Sequence, residues 1–543
     1  MEYFRRIFFL MFFYVTICLS AQEALLSAPE EYYDFLALTG ITERPYLNYR
    51  TLSDSQWLSE NSEIDIWKEN KLGSTIKLSE KIFFKVFNIE SFSSFNSATP
   101  YGQNDGLLWQ GRGWNTSLTG GSRFETLGFE LTFKPQFVFS ENISFKLLPS
   151  ATTSPYGYIW GYDLNSGADA PQRFGNNPIY EFSFGDSEIR YTWRKLTIGF
   201  GTQSIWIGPG QINSIIQSNN PAPYPKLDFG LRKSMITLFD WFAGYIESRL
   251  WIGKLYESDY FDNDQSNNSF FISGLSLSYA PSFLPGLTLS FCRTYLSQDE
   301  IEIPYTISSL LFFKLTRNGG EDIWDQRLTL SFDYLFPEIG FEVYSEIGFN
   351  DNPGPNIEAY IKNFSHTLVY TNGLRKIINI NEKYNFSGIF QFELSNLEMS
   401  PIYSQFLWTN SFYMHHQIKQ GYTNQGQWLG LGTGTGGNTQ YIGFMLYYPK
   451  GATNIYINRY NPDNDFLFRF TTPSGGYPNN HLYDRDFKTV LAIGIQTQFF
   501  IIDRIRLNCG LAYIQLQNNT YGSSSDREFA QSYRLEFGIG TSF

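Results

Sequence analysis

The sequence predicts an all-β transmembrane barrel of about 16–18 antiparallel strands, with a small helical part at its N-terminus in the periplasm. Three observations lead to this fold class. Apolar and polar residues alternate along most of the chain, aromatic residues are abundant, and no apolar run of about 18 residues follows residue 19. Strands that face lipid on one side and water on the other produce such a pattern.

The last eleven residues form the clearest strand. One face of this strand carries Tyr533, Leu535, Phe537, Ile539 and Phe543, whereas the other face is polar or glycine. This segment resembles the closing strand of an outer-membrane barrel, which the barrel-assembly machinery recognises. We therefore expect that machinery to be a partner through the strand ending at Phe543. The last strand of a soluble β-sandwich would show the same alternation.

The N-terminus has the pattern of a secretory signal peptide. Arg5 and Arg6 precede an apolar run over residues 7–19, and Ser20 and Ala21 supply small residues for cleavage. The run is too short to span a membrane as a helix. Residues 1–20 are therefore predicted to be a signal peptide, and the chain is expected to be exported.

Composition separates the barrel from other classes. The chain has 543 residues, of which 18% are aromatic and 17% charged, and its mean hydropathy of −0.26 is close to that of soluble proteins. A barrel uses aromatic residues as girdles at the two membrane interfaces, so outer-membrane lipid is an expected partner. The net charge of −12 and the absence of a basic stripe argue against nucleic acid.

Cysteine and metal-ligand spacing indicate no cofactor. Cys292 and Cys509 lie far apart in strand-like segments, and we expect two isolated, buried residues rather than a disulfide bond. No zinc spacing and no Gly-x-Ser-x-Gly elbow is present, so the sequence predicts neither a metal site nor a hydrolase. A convergent hydrolase site stays open, since spacing alone does not exclude one.

Residues 21–72 form the predicted periplasmic helical segment. Its helix starts are marked by two capping boxes, Ser27-x-x-Glu30 and Ser53-x-x-Gln56. The first box predicts a helix over residues 28–38 that stops at Gly40, and the second predicts a polar helix through Trp67 to Lys71. Two short helices without a core must dock, and we expect them at the periplasmic mouth of the barrel.

Residues 73–543 are predicted to form the barrel. In each strand-like segment the charged residues share one face, for example Glu130 between Leu131 and Phe129, and Glu342 and Glu346 in the segment that starts at residue 341. Charges on a lipid face cost about 2–4 kcal/mol each at the midplane, so this segregation is expected of a barrel. The long Gly-, Asn- and aromatic-rich segments are loop candidates, namely residues 92–122, 150–186, 202–230 and 410–440.

Five motifs occur in the order found in one family of outer-membrane proteins. They are Asn104-Asp105-Gly106 with Trp109-Gln-Gly111-Arg112-Gly113; Pro171-Gln-Arg173-Phe-Gly175 with Gly185-Asp-Ser-Glu-Ile-Arg190; Trp206-Ile-Gly208-Pro209-Gly210 with Ser218-Asn219-Asn220; Glu346 with His366; and His415 with Gly421-Tyr422-Thr-Asn424-Gln-Gly-Gln427. In this arrangement the chain resembles the Wzi capsule-assembly family. Ile207 and Asn424 stand where the family commonly has Trp and His.

The resemblance implies a closed barrel of about 18 strands with periplasmic helices. It also implies a non-catalytic role in binding, surface attachment or assembly of capsular or other surface polysaccharide at the outer membrane. A porin-like channel for small solutes is the alternative. The lumen discriminates between them, because a plugged barrel supports glycan binding and an open polar bore supports a channel.

Two groups of residues are candidates for the site. Those expected to bind glycan, by stacking or by hydrogen bonding, are Trp109, Arg112, Trp206, Asn219, Asn220, Tyr422, Gln427 and Trp428. Those expected to shape the family motifs are Asp105, Gly106, Gly111, Gly113, Arg173, Gly208, Pro209, Gly210, His366, His415 and Gly421. For any single Trp, packing at the interface or in a loop competes with sugar binding, and Asx-turn bonding competes for the two asparagines.

Overall fold

A computed structural model of the chain describes residues 28–52, 58–59, 65–70, 72, 74–148, 150, 153–157, 168–239, 241–262, 264–265, 267–298, 324–350, 357–362, 364–365, 367–381, 385–398, 412–415, 418–465, 486–521 and 527–542. The predicted signal peptide, the capping residue Ser27, the Ser53 box, His366 and Phe543 lie outside the described residues.

The described residues contain two α-helices, α1 (Ala28–Leu38) and α2 (Ile357–Lys362), and a 3-10 turn over Pro337–Ile339. The strands are β1 (Thr42–Glu43), β2 (Tyr49–Thr51), β3 (Leu58–Ser59), β4 (Ser74–Ser79), β5 (Ile82–Asn96), β6 (Gly113–Thr126), β7 (Phe129–Phe133), β8 (Gln136–Ser140), β9 (Ile179–Ser183), β10 (Glu188–Trp193), β11 (Leu196–Gly201), β12 (Ile205–Ile207), β13 (Lys226–Leu238), β14 (Trp241–Tyr256), β15 (Ser269–Pro281), β16 (Leu287–Gln298), β17 (Trp324–Phe336), β18 (Phe341–Asn350), β19 (Leu368–Asn381), β20 (Phe386–Asn396), β21 (Thr423–Asn424), β22 (Gln427–Trp428), β23 (Asn438–Tyr448), β24 (Gly451–Asn461), β25 (Thr489–Ile502), β26 (Ile505–Gln517) and β27 (Phe529–Thr541).

Twenty-one of these strands form one closed, antiparallel sheet. The last strand, β27, pairs with β5 from Arg534 opposite Asn96 to Thr541 opposite Ile89, and this pairing closes the barrel. Pro135, which has no N–H group, separates β7 from β8, and the two act as one bent strand against β6. Strands β9 and β10 likewise act as one strand, because they pair with β8 and β7. Strand β4 pairs only with the first residues of β5, which β27 does not reach, and is not counted as a separate strand of the wall. The wall therefore has 18 strands, as the sequence predicts.

Side chains alternate across the wall as expected. On β7, Leu131 is 51% exposed on the outer face, whereas its neighbours Glu130 and Thr132 are 6% and 2% exposed inside. Glu342 and Glu346 on β18 are fully buried inside the barrel. The apolar side chains lie on the outer face, as expected of a wall in lipid, and the charges turn to the lumen because lipid cannot solvate them.

The two ends of the barrel differ in their connections. At one end the strands are joined by short turns, such as those between Tyr448 and Gly451 and between Ile502 and Ile505. At the other end the connections are long, and the described residues 202–225 and 418–437 run back into the lumen. Because short turns face the periplasm in barrels of this type, we expect the long loops on the outer side, and their end is called the outer end. Among the described residues, no helix is long and apolar enough to cross a membrane.

The prediction of the first N-terminal helix is confirmed, and the prediction of the second is wrong. Helix α1 spans Ala28–Leu38, and Gly40 follows it with φ 75°, as a helix stop requires. In the second region, β3 pairs with β1 and residues 66–69 form a turn. Tertiary contacts override the helical pattern there, because the backbone N–H of Trp67 donates to the hydroxyl of Tyr32 at 2.9 Å and the two rings stack at 4.2 Å.

Helix α1 lies inside the barrel at the short-turn end. Its Phe35 ring stacks on Tyr447 at 4.4 Å, close to the turn after β23. An ion-pair network also attaches it to the wall, since Asp34 bonds Arg375 on β19 at 2.6 Å and Arg44 bonds Asp34 at 2.8 Å. Burial opposes the charged form of Asp34, but these guanidinium groups outweigh it and hold its pKa below the usual range.

Two further predictions need correction. Cys292 is buried as expected, but Cys509 is exposed on the outer face of β26, and neither forms a disulfide bond. The predicted loop segments were also too long at their ends, because residues 92–96 and 113–122 belong to β5 and β6 and residues 226–230 belong to β13. Alternation is weak near these strand ends, where Gly and Asn residues fall inside strands.

Candidate functional site

Four segments of the chain fill the lumen and are called the plug here. They are residues 44–52, the β5–β6 loop over residues 97–112, the β11–β13 connection over residues 202–225, and residues 412–415 with 418–437 before β23. The plug is held by strand pairing between β2 and β12, in which Arg50 lies opposite Trp206. Most of its side chains are buried.

Carboxylates on the wall anchor the plug through its backbone. Glu393 on β20 accepts the consecutive N–H groups of Gln211, Ile212 and Asn213 at 2.7, 3.1 and 2.7 Å. The hydroxyl of Tyr344 also donates to this carboxylate at 2.7 Å. Three successive N–H groups form an anion-binding concavity, so a single side chain fixes this part of the plug.

The same arrangement recurs for the N-terminal segment. Glu247 on β14 accepts the N–H groups of Leu47, Asn48 and Tyr49 at 3.3, 2.8 and 3.0 Å. The carboxylate thus satisfies three backbone donors inside the barrel. Residues 47–49 are therefore bound inside the barrel.

Asp169 joins loops at the outer end. It accepts the N–H and the hydroxyl of Ser258 at 2.7 and 2.5 Å, and the N–H of Gly426 at 3.1 Å. Burial raises the pKa of Asp169 to about 7, although these three donors oppose the shift. Asp169 thus links the β14–β15 loop to the plug.

Trp206 lies in the middle of the plug and has no accessible face. It is 0% exposed, its Nε1 donates to the carbonyl of Gly210 at 3.0 Å, and Arg50 covers its ring at 5.8 Å. Arg50 also donates to the carbonyls of Gly208 and Gly210, at 2.8 and 3.1 Å. The Gly-Pro-Gly segment, with Pro209 at its centre, is a tight turn. The sugar-stacking role predicted for Trp206 does not fit this position.

Tyr422 and Trp428 are also packing residues. Both stack on Tyr413, at 5.6 and 5.7 Å between ring centroids. The hydroxyl of Tyr422 bonds Thr294 at 3.0 Å, and the guanidinium of Arg327 lies 4.3 Å from the Tyr422 ring. Since Tyr422 is 0% and Trp428 7% exposed, neither offers a free ring face to a polysaccharide.

The predicted amide ligands connect plug segments to each other. Asn220 accepts the N–H of Asn104 at 3.1 Å and donates to the carbonyl of Trp428 at 3.0 Å. With its amide oriented to donate, Gln427 bonds the carbonyl oxygens of Gly106 and Asn220. Both side chains hold loops together. Asn219 is 4% exposed and faces an internal cavity instead.

The motif residues mainly shape the loops. The N–H of Gly106 donates to the carbonyl of Asn219 at 3.0 Å, Nδ1 of His415 accepts the N–H of Ile418 at 3.1 Å, and Gly421 has φ 70°. Asp105 lies beside the cavity, and burial raises its pKa to about 7.

Trp109 is the predicted aromatic residue that does reach the outer surface. Its ring packs on Phe174 at 5.0 Å, Phe174 packs on Tyr260 at 5.8 Å, and Tyr260 packs on Tyr156 at 5.8 Å. All four are half-buried and come from three different loops at the outer end. We call them the outer aromatic cluster.

Glycines and arginines build this cluster. A Cβ atom on Gly111 would lie 2.8 Å from Nε1 of Trp109, so the backbone passes close under the ring, and Gly113 beside it has φ 96°. Arg173 donates to the carbonyl of Asn142 at 2.6 Å and fixes the loop that carries Phe174. Arg112 bonds the carbonyls of Ser97 and Ser144 at 3.2 and 2.6 Å and remains half-buried beside the cluster.

The sequence missed Tyr156, Phe174 and Tyr260, and it also missed Glu247 and Glu393. Phe174 stands inside a recognised motif and could have been proposed from it. The two glutamates look like any other charge on the polar face of a strand, so only the folded plug distinguishes them. Among the described residues, no group of three or more His, Cys, Asp or Glu side chains could hold a metal ion.

The fold and the plug define the class of this protein. It is an 18-stranded transmembrane β-barrel of the outer-membrane type whose own loops fill the lumen. The model of the family described as "Capsule assembly protein Wzi" matches residues 120–530, which is most of the chain. The chain belongs to this family, and it lies in the outer membrane.

A comparison with solved structures finds similar proteins. The chain is similar to the Wzi outer-membrane protein of Escherichia coli, with 12% identity, a TM-score of 0.57, and coverage of 97% of this chain and 100% of that one. OprB of Pseudomonas putida has 10% identity, covering 85% and 94% of the two chains, with a TM-score of 0.36. OprD of Pseudomonas aeruginosa has 8% identity, covering 84% and 93%, with a TM-score of 0.37. No curated protein matches the sequence significantly.

Proposed function

We propose that this protein is a non-catalytic outer-membrane factor that binds surface polysaccharide during its attachment or assembly, whether as capsule or as another surface glycan. The family supports the proposal, since its Escherichia coli member is described as a carbohydrate-binding barrel involved in group 1 capsule assembly. The observation that carries the proposal is the plugged lumen with an aromatic cluster above it. A solute channel needs an open bore, and here the plug occupies that space.

The outer aromatic cluster is the proposed glycan site. Aromatic rings stack on the apolar face of a pyranose, and the half-buried rings of Trp109, Tyr156 and Tyr260 are held in fixed orientations by their neighbours. Arg112 beside them is available to bond sugar hydroxyls. Each contact is weak, but a polysaccharide repeats its units, so several barrels in one membrane would bind it with high avidity.

Other partners belong to the same proposal. The apolar outer face of the wall is the proposed contact with outer-membrane lipid, and the exposure of Leu131 and Phe537 on that face supports it. Strand β27, with Tyr533, Leu535 and Phe537 on its lipid face, is the proposed recognition element for the barrel-assembly machinery.

Binding of the purified, detergent-solubilised protein to the surface polysaccharide of its own organism tests the proposal. We expect saturable binding that Trp109→Ala or Tyr260→Ala weakens at least tenfold, because an aromatic anchor at an interface typically contributes 1.4 kcal/mol or more. Trp114→Ala is the matched control, since Trp114 is 47% exposed on the outer, lipid-facing side of β6. Steady conductance in planar bilayers without glycan binding would favour the channel instead.

A further inference from the structure

A cavity of about 420 Å³ lies inside the barrel between α1 and the plug. The inner faces of β5, β19, β20, β23, β24, β25 and β27 form its wall. Residues 101–105 with 211 and 212 close it towards the long-loop end, and Glu30, Glu31 and Asp34 of α1 close it towards the short-turn end. A second cavity of about 210 Å³ adjoins it, shares Glu31 and Asn454 with it, and extends to Arg506 near the short turns. We call the two cavities together the lumen chamber.

The chamber presents unused amides and paired charges. Asn104, Asn219 and Gln391 line it, and the buried atoms Oδ1 of both asparagines and Nε2 of Gln391 have no hydrogen-bond partner among the described residues. The Asn219 side chain is more than nine-tenths buried. Two of the arginines in the lining are paired, since Arg534 pairs with Glu536 and Arg375 pairs with Asp34. A ligand that complements this lining is uncharged and carries both hydrogen-bond donors and acceptors.

Aromatic rings complete the lining. Tyr441 and Tyr456 stack on each other at 6.0 Å with an interplanar angle of 17°, and both border the chamber with Phe92. Sugars combine hydroxyl groups with an apolar ring face, so they match amides interleaved with aromatic rings. The volume is also suitable, since ligand pockets usually measure about 300–1,000 Å³.

The chamber is more accessible from the short-turn end than from the outer end. The plug covers the outer end. There the side-chain amide of Asn104 donates to the carbonyl of Ile212 at 2.9 Å, and the N–H of Ile212 donates to Glu393 on the wall. On the wall, Gln496 faces inward and yet is exposed, and the adjoining cavity reaches Arg506, one residue beyond the start of β26. Solvent therefore reaches the chamber beside α1.

We propose that the lumen chamber is a second carbohydrate site, which takes a neutral sugar unit from the periplasmic side. This inference rests on the proposed function and adds to it a site that the outer aromatic cluster does not provide. A barrel with a site at each end contacts surface polysaccharide outside and a neutral saccharide in the periplasm.

Saturation-transfer NMR on the full-length protein in detergent tests the site, with methyl α-glucoside, methyl α-mannoside and methyl β-galactoside as probes. We expect at least one probe to bind, Asn454→Phe to abolish its signal by filling the chamber, and Gln391→Leu to weaken binding about fivefold by removing a free donor. Ile455→Phe is the matched control, because Ile455 is the next residue on β24 and is 54% exposed on the outer face.

Trp109→Ala separates this inference from the proposed function. It should weaken polysaccharide binding and leave glycoside binding unchanged, because Trp109 lies at the outer end. Any of three results would overturn the chamber site. The glycoside signal could be lost in Trp109→Ala, it could stay unchanged in a folded Asn454→Phe variant, or none of the three probes could give a signal. If polysaccharide binding fails while the chamber variants behave as expected, only the proposed function falls.

Cysteine labelling tests the side of entry. Gln496→Cys is placed in a Cys509→Ser background, so that the exposed native thiol is removed while Cys292 stays buried. A maleimide that cannot cross the outer membrane should label it only after the membrane is permeabilised, and a bound glycoside should slow the labelling. Asn177→Cys, in an exposed outer loop, should react in intact cells. Labelling of Gln496→Cys in intact cells would refute periplasmic entry.

Discussion

Glu393→Gln should loosen the plug while leaving the barrel intact. Five groups donate to the Glu393 carboxylate, namely three backbone N–H groups, the Asn213 amide and the Tyr344 hydroxyl. Because every neighbour donates, the ionised carboxylate is the form that fits. Glutamine retains one acceptor oxygen and places an NH₂ group against donors, so at least two charge-assisted bonds are lost. At about 1.5–3 kcal/mol each, the plug loses about 3–6 kcal/mol.

This loss corresponds to a factor of about 10² to 10⁴ in the ratio of closed to open plug. Amide hydrogen exchange followed by mass spectrometry measures it directly, and the amides of Gln211–Asn213 should exchange faster by that factor. Exchange in β19 and β20 should not change, because their ladders do not involve this carboxylate. Glu338→Gln, on an exposed short turn, is the control. Unchanged exchange at residues 211–213 would show that the carboxylate does not anchor the plug.

Three further changes test other parts of the structure. Gly208→Ala should destabilise the plug by about 1–3 kcal/mol, since φ is 110° and the new Cβ would lie 2.7 Å from Glu346, and thermal unfolding measures this. Arg375→Ala should cost about 3–5 kcal/mol by leaving buried Asp34 and Glu342 short of a partner, and should speed hydrogen exchange in α1. Burial raises the pKa of Asp105 to about 7 in the folded protein, against about 3.9 in the unfolded chain. Between these two values the folded protein binds more protons than the unfolded chain, so stability should fall as the pH rises from about 4 to 7. Asp105→Asn should reduce that fall in melting temperature, and an identical pH profile would contradict the reasoning.

The wall could be predicted from sequence because its information is local. Each strand shows its two faces in the alternation of its own residues, as Glu130 and Leu131 do, and the positions of charges then identify the lumen side. Helix α1 was predictable for the same reason, from a capping box at one end and Gly40 at the other. The second helix was not, because its region is determined by contacts of Trp67 with a distant helix and turn.

The site was only partly predictable, because accessibility depends on how loops fold back into the lumen. Trp109 and Trp206 both stand in Gly-rich motifs, yet Trp206 is fully buried under Arg50 and Trp109 reaches the outer end. The motifs thus identified important loops correctly without indicating which side chains face solvent. The outer aromatic cluster joins residues separated by about 150 positions, so no sequence window contains it.

The charges inside the barrel bear on function as well as on folding. In an open pore they would be hydrated and would select passing ions. Here Arg190 is bonded by both Glu188 and Asp228, at 2.8 and 2.5 Å, and Arg123 donates to the carbonyl of Leu52 in the plug at 2.7 Å. These side chains are occupied with one another and with plug backbone. Since a charge that is neutralised inside the wall cannot attract a passing solute, these charges hold the plug in place instead of selecting ions.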